Sequence, residues 1–511
     1  MKPLAALLVG VALLLLVLEG GLRMAGLAPQ PRINQFHPTL GWEKEPGKTS
    51  RKKTSEFDVT FAINERGLRG PIVPFEKADG ETRIVFAGDS FCLGYTVEER
   101  DLFLEILAAR LRSEGRNLSA VNGGTEGYSI DQEALWFRDE GMRYAPDLAI
   151  LCFYPNDVFW SGESSYLRYP KPLLGENGVP TNLPLSDPGR ESWFATRTAL
   201  GKLIGALRSP TPTFTPTGRS KAIPKEEGVF LKEEPPFIAA AWRRVDAAVR
   251  IFADAARSKG IRAVGVSIPH KIQVHEDARR VFESVNDLSA DVYDPNRASR
   301  RFLESCAAAE ILAVNPVNEL RARGSDGTRL YYEKDWHLTP AGNRALAGAL
   351  YDRLEEFGIL SRLQVARAPV PPVAASTATT PANAPVWPYV LGAIWVLLTI
   401  GYAVSYRDEP TLLAPVKTAL FLALVGGIFF GVSRGAKAVP WLPAILVAAL
   451  LGFVLWKAAG RLGTTAELLG TFSRRGHWYM LPLLVVMVSI GTLLVVAASS
   501  PLVAPFIYTL F

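Results

Sequence analysis

The chain has 511 residues, 48% of them hydrophobic and 21% charged, which is enough for one large folded domain plus further elements and excludes a chain disordered as a whole. Its formal net charge of +6 arises from 56 Lys and Arg against 50 Asp and Glu. The cations are scattered, with no basic stripe interleaved with aromatics, so no nucleic-acid partner is expected. Three cysteines, Cys92, Cys152 and Cys306, lack CxxC spacing and sit in apolar or helical contexts; a disulfide framework is excluded, small core residues are expected, and no metal or cofactor is.

In chain order, the first apolar run is Leu4–Leu18, preceded by Lys2. It is short for a bilayer span and fits either the hydrophobic stretch of a signal peptide or an anchor helix. The best cleavage site, Gly26-Leu27-Ala28, is followed directly by Pro29, which obstructs a signal peptidase, so residues 1–25 are read as an uncleaved transmembrane anchor. Residues 26–80 form a lead-in of Pro, Gly and charge, with a cationic run Arg51-Lys52-Lys53 and a β-segment at Phe57–Asn64. It is either packed on the following domain or a stalk.

The region 81–360 is read as one α/β domain. A β-prone run, Ile84, Val85 and Phe86, meets Gly88-Asp89-Ser90, and a helical pattern follows over Leu102–Leu111. A serine between a strand and a helix is exposed at the carboxyl edge of a sheet, with backbone N–H groups beside it. Further along come a strand at Ala120–Asn122, a helix from Asp131 and a strand at Leu148–Tyr154; this alternation predicts parallel pairing with right-handed crossovers. Residues 160–235 are richer in Pro, Gly and Ser and read as an insertion beside the active edge, with a helix at Trp193–Leu207. An amphipathic helix Phe237–Lys259, a strand Ala263–Ile268, a helix Arg297–Ala309, a strand Ile311–Val314 and a helix Pro340–Phe357 complete the domain.

Residues 366–385 shift to Ala, Pro, Thr and Val and read as a flexible tether. Beyond it, within 386–511, four nearly charge-free runs have bilayer length: Val386–Val404, Leu412–Val432, Val439–Trp456 and Tyr479–Ala498. Trp387, Tyr389, Tyr402, Trp441, Trp456, Trp478 and Tyr479 near their ends suit interfacial anchors, and no acidic residue suggests an ion path. If the anchor runs inside to outside, Arg407, Lys417, Lys457, Arg461, Arg474 and Arg475 fall in the cytoplasm and only Arg434 and Lys437 outside, as the positive-inside tendency asks. Arg23 and Arg32 against Lys2 argue the other way, but short loops report topology better than the edge of a large domain. The α/β domain is therefore expected outside the cytoplasm, tethered at both ends to a membrane, in the manner of a bacterial inner-membrane protein.

Four separated sites carry candidate chemistry. Ser90 is a nucleophile candidate, or an ordinary helix cap. Asn122 through Gly127 follow a strand, where Gly127 brings a backbone N–H near a substrate oxygen or simply supplies a positive φ. Asn156 and Asp157 follow another strand; Asn156 either donates an amide to an oxyanion or closes an Asx-turn. His337 precedes the last helix and has Asp335 two residues away, on the same side if the segment is extended. Asp335 would then orient the imidazole while His337 takes the proton from Ser90. His37 and His477 lie outside the α/β core, and His270 and His275 follow a strand without such a partner, which leaves His337 as the best base.

These blocks, in this order, resemble the SGNH hydrolase superfamily, also called GDSL esterases and lipases. Residues 143–148, the segment Leu40-Gly41-Trp42 and residues 64–69 are also similar to this superfamily. The resemblance spans roughly residues 80–357 and implies a flavodoxin-like three-layer α/β/α domain. It further implies an acyl-enzyme on Ser90, His337 as base with Asp335, and an oxyanion held by the N–H groups of Ser90 and Gly127 with the Asn156 amide. Two departures stand out. Tyr154 occupies the place of a usual Gly, and Asp335-x-His337 replaces Asp-x-x-His, closer to alginate O-acetyltransferase-like members, which keeps acyl transfer open beside hydrolysis. Residues 460–511 resemble small uncharacterised membrane proteins, and 386–457 loosely resemble membrane proteins of saxitoxin-type clusters. The expected partners are an ester-bearing glycan or lipid, the membrane itself and a membrane protein recruited by the C-terminal helices. The leading expectation is a membrane-tethered esterase or deacylase, with an O-acyltransferase or a non-catalytic glycan-binding module as alternatives.

Overall fold

The computed structural model describes residues 33–363, apart from 190, 191, 209 and 210, together with a few positions between 15 and 29. Most of the 1–25 anchor, the 366–385 tether and all four C-terminal apolar runs lie outside the described residues. Among the described residues no helix is long and apolar enough to cross a membrane. Those from Glu19 onward belong to one of two units into which the chain divides.

The lead-in is packed on the domain as two antiparallel hairpins, which settles the choice between packed segment and stalk. Strand β1 (Asn34–His37) pairs with β2 (Gly41–Lys44), and β3 (Thr49–Lys53) with β4 (Asp58–Ala62). The cationic run lies on β3. Strand alternation turns Arg51 and Lys53 outward onto Asp58, at 2.7 and 3.3 Å, and Lys52 inward onto Glu126 at 2.8 Å. Trp42 is only 1% exposed and packs among Tyr128, Tyr166 and Tyr169, with ring centroids 5.5–5.7 Å away. The Tyr128 hydroxyl donates to the Trp42 carbonyl (2.6 Å) and the Gln132 amide to the Leu40 carbonyl (2.6 Å), stitching this segment to the domain.

Five strands form the central sheet: β5 (Thr82–Ala87), β6 (Leu118–Asn122), β7 (Leu148–Phe153), β8 (Arg262–Ser267) and β9 (Leu312–Val314). Their lateral order is β9-β8-β7-β5-β6, with every pairing parallel, as the alternating pattern predicts. Both central strands, β5 and β7, are buried along their whole length, in keeping with their continuous apolar runs. Alternate residues feed two cores. Val85, Ala87, Ala149, Leu151 and Phe153 face a layer containing the helices Ile130–Asp139 and Pro236–Ser258. On the other face, Ile84, Phe86, Leu148, Ile150 and Cys152 meet a layer containing the helices Phe103–Ser113 and Pro340–Glu356. The result is a parallel sheet flanked by helices on both faces, with its switch of direction between β5 and β7.

One local expectation is corrected, and one helix is added to those expected. The single helix expected over Trp193–Leu207 is two, Trp193–Arg197 and Ala199–Arg208. Thr198 between them is extended (φ −118°, ψ 144°), and its hydroxyl accepts from Gly201 N–H at 2.9 Å, so a cap restarts the helix. A helix at Glu276–Asn286 is not among the elements expected from the sequence, although it is strongly amphipathic; Phe282 and Asn286 are its buried residues.

Replacing Trp42 by Ala is expected to cost about 3–5 kcal/mol, the range for a large buried aromatic, measured by urea unfolding followed by circular dichroism. A loss below about 1 kcal/mol would return the lead-in to the status of a stalk.

Candidate active site

The nucleophile turn grows directly out of β5. Asp89 caps a four-residue helix, Ser90–Leu93, by accepting from Phe91 N–H at 2.8 Å, and Gly94 ends it in the left-handed region. Ser90 is thus the first residue of a helix, earlier than the helical pattern from Leu102 indicated, and remains partly exposed at the sheet's carboxyl edge. The residue Asp89 is 1% exposed; burial raises its carboxyl to about 6 against the opposing pull of the Phe91 N–H and His337.

Ser90 Oγ lies 2.7 Å from His337 Nε2, and His337 Nδ1 lies 2.6 Å from Asp335 Oδ1. With the Nδ1 proton directed at Asp335, Nε2 is free to accept from the serine hydroxyl. Burial depresses the His337 imidazole, but the charge and hydrogen bond of Asp335, with help from Asp89 and Glu126, outweigh it and raise its pKa. Asp335 is itself held below the usual carboxylate range: burial opposes this, and His337 and Lys271 prevail. The contact arises differently from the expected strand alternation. Residues 333–337 form successive bends, and Asp335 Oδ1 accepts both the His337 backbone N–H (2.9 Å) and Nδ1. One carboxylate oxygen therefore locks both the backbone and the ring of the histidine.

The loop Asn122–Gly127 lies against the nucleophile turn. The Asn122 amide donates to Cys92 O (2.8 Å), and Thr125 N–H to Gly88 O (3.1 Å). A Cβ on Gly124 would sit 2.2 Å from Leu93 N, so only glycine permits this approach. Gly127 has φ +79°, and the ring of Tyr166 occupies the space its Cβ would need, 2.4 Å away. The Trp42 indole N–H donates to Glu126 O at 3.0 Å. Asp157 closes the end of β7 by accepting from Tyr154 N–H (2.8 Å), the turn role weighed above for Asn156. The Asn156 side chain is left without a hydrogen-bond partner among the described residues, its Oδ1 buried and unpaired. The same residues offer no partner to the backbone N–H groups of Ser90 and Gly127. Each of the three residues follows the carboxyl end of a strand: Ser90 that of β5, Gly127 that of β6 and Asn156 that of β7.

The other described histidines serve as acceptors. His37 Nδ1 accepts from Leu40 N–H (3.0 Å) and His275 Nε2 from Leu330 N–H (3.2 Å). His270 is buried against Tyr154, Phe230 and Trp336, and burial pushes it down to about 3. His477 lies outside the described residues. Cys92, Cys152 and Cys306 are free and buried.

Sequence reasoning missed Tyr95, whose hydroxyl lies 3.2 Å from His337 Nδ1 and whose ring centroid is 4.8 Å from the imidazole. Its place five residues after Ser90 was the available signal. Lys271, which donates to Tyr332 O and Glu333 O at 2.6 Å each, had none. The hydrogen-bonded series Asp335–His337–Ser90 supports a serine hydrolase active site.

A family of unknown function, DUF5989, matches residues 462–511. No curated protein matches the chain. Among solved structures, it is similar to a lipase/acylhydrolase from Enterococcus faecalis at 11% identity, covering 56% of this chain and 100% of that one, with a TM-score of 0.30. An acetyl xylan esterase is similar at 11% identity, covering 53% and 99%, with a TM-score of 0.30. The psychrotrophic esterase EstA from a Pseudoalteromonas species is similar at 9% identity, covering 54% and 98%, with a TM-score of 0.29.

A base must be neutral to accept a proton, so the raised pKa of His337 places the acid limb of kcat/KM above the ordinary histidine value of about 6.5. Asp335→Asn is expected to move that limb to lower pH and to reduce kcat. A limb that stays in place in Asp335→Asn, read from a pH–rate series on an aryl ester, would remove Asp335 from the site.

Proposed function

We propose that the chain is an SGNH-type serine esterase or deacylase, tethered to a membrane, that cleaves an acyl ester on a cell-envelope glycan or lipid. The observation that carries the chemistry is the 2.7 Å approach of Ser90 Oγ to His337 Nε2, with Asp335 behind the imidazole. Ser90 Oγ attacks the ester carbonyl as its proton passes to His337 Nε2. The oxyanion is held by the N–H groups of Ser90 and Gly127 and by the Asn156 amide. Collapse breaks the ester C–O bond, and His337 returns the proton to the leaving alcohol oxygen. Water, deprotonated by His337, then attacks the acyl-enzyme and releases the acid and the free serine.

The surface around Ser90 is bounded by Phe91, Thr96, His337 and Leu338. The apolar runs at both ends of the chain are the basis for tethering, and the distribution of Lys and Arg around them for an extracytoplasmic domain at a bacterial inner membrane. The Asp335-x-His337 spacing favours one second reading, an O-acyltransferase in which a sugar hydroxyl replaces water in the second half.

Ser90→Ala is expected to abolish hydrolysis of aryl acetate and labelling by a fluorophosphonate probe. Asn156→Ala should retain turnover reduced by about 10²–10³-fold, the loss of one oxyanion donor. A Ser90→Ala protein that cleaves at the parental rate would overturn the assignment. Product analysis with and without a sugar acceptor separates esterase from transferase.

A further inference from the structure

Glu56 stands in the turn between β3 and β4, 277 residues before the loop that it grips. Its carboxylate accepts from three successive backbone N–H groups: Glu333 at 2.7 Å, Lys334 at 3.0 Å and Asp335 at 3.0 Å. Converging N–H groups of this kind form an anion nest, and bonds to a carboxylate are stronger than bonds between neutral groups. From the opposite direction Lys271 Nζ binds the carbonyls of Tyr332 and Glu333, both at 2.6 Å. The ring of Phe57, next to Glu56, packs on Tyr332 with centroids 5.1 Å apart. The loop has no regular secondary structure to define its path. An anion on its N–H groups and a cation on its carbonyls do so instead.

We propose that Glu56 is a positioning residue for the reaction, holding the 332–335 loop so that Asp335 Oδ1 stays on His337 Nδ1. This rests on the serine-esterase reading above. Water can solvate the three N–H groups if Glu56 is removed, because the loop is at the surface, so the fold is retained. Water does not fix their direction. Asp335 then loses its alignment, and the imidazole loses the neighbour that raises its basicity. The groups facing His337 are Asp335 from its own loop, Asp89 and Ser90 from the nucleophile turn, Tyr95 from the segment after it, and Glu126 from the glycine loop. Glu56 touches only the first of these contributors.

The test is steady-state kinetics on aryl acetate with the full chain carrying Glu56→Ala or Glu56→Gln, each alone and combined with Asp335→Ala. Glu56→Ala is expected to lower kcat by about 10- to 100-fold, as for a misplaced catalytic group, with KM changed less than about twofold. The acid limb should move to lower pH, and Glu56→Gln, which keeps an acceptor oxygen, should recover part of the loss. In the Asp335→Ala background, adding Glu56→Ala should change kcat by less than about twofold, because both act on one contact. Equal losses in the two backgrounds, or unchanged kcat and acid limb in a folded Glu56→Ala protein, overturn the proposal. If Ser90→Ala retains the parental rate, the esterase reading fails and the proposal falls with it; if only Ser90→Ala is inactive and the Glu56 variants match the parent, positioning alone is refuted.

Discussion

A hydrogen bond between residues 247 positions apart, Ser90 and His337, is the constraint on which the site depends. One partner hangs from the first strand of the sheet and the other from the loop before the last helix. Neither has a meaning until every intervening strand has found its place. The parallel order supplies that place: β5 and β7 are neighbours in the sheet although β6 separates them in sequence, so the chain must cross from one side of β5 to the other. Ser90 and Asn156 leave the carboxyl ends of these neighbouring strands at the crossing. Topology brings the residues to one edge of the sheet, and short-range hydrogen bonds then orient them.

Behind the serine the structure handles buried charge in two ways. Asp89, Asp131, Glu133 and Asp157 are each at most 1% exposed. Asp131 is paired with the equally buried Lys171. Glu133 and Asp157 form no ion pair among the described residues, and burial, with repulsion from neighbouring carboxylates, raises both well above the usual carboxylate range; for Asp157 the Tyr154 N–H and Lys171 oppose the shift. Asp335, which is on the loop and is stabilised by its own hydrogen bonds, is the largest of the influences that raise the basicity of His337. Asp89, near 6, and Glu126, held ionised by Lys44 and Lys52, add smaller contributions.

Much of this was legible in the sequence because it is local. The strand Thr82–Ala87 reads as a buried run, the turn Gly88-Asp89-Ser90 follows it, and the long helix Pro236–Ser258 carries an apolar stripe. The association of Ser90, His337 and Asp335 was legible as a pattern, although the bends at 333–337 place Asp335 through its own hydrogen bonds and not by strand alternation. The parts that were not legible are long-range. Nothing near Glu56 announces a contact with Asp335 N–H, and a lone polar residue in a turn has the same local signature whether it faces water or a catalytic loop. The break at Thr198 was hidden for a different reason: a threonine inside an apolar periodicity costs a helix little, and only the formation of its cap reveals a boundary.

The glycine loop shows how regions outside the sheet shape the chemistry. The peptide joining Glu126 to Gly127 is planar and trans, so its C=O and N–H point in opposite directions. The Trp42 indole holds the C=O at 3.0 Å, which turns the Gly127 N–H away from the lead-in. Lys44 and Lys52 fix the Glu126 carboxylate at 3.3 and 2.8 Å, and the Tyr166 ring from the 160–235 insertion closes the remaining side where a Cβ would stand. Lead-in and insertion, which the sheet does not need in order to form, thus converge on a single peptide plane. If the Gly127 N–H serves the oxyanion as proposed, its direction is set before the reaction. The two segments that look dispensable in sequence are therefore those that fix one donor's direction, and the stack of Trp42 on Tyr166, with centroids 5.5 Å apart, couples them to each other.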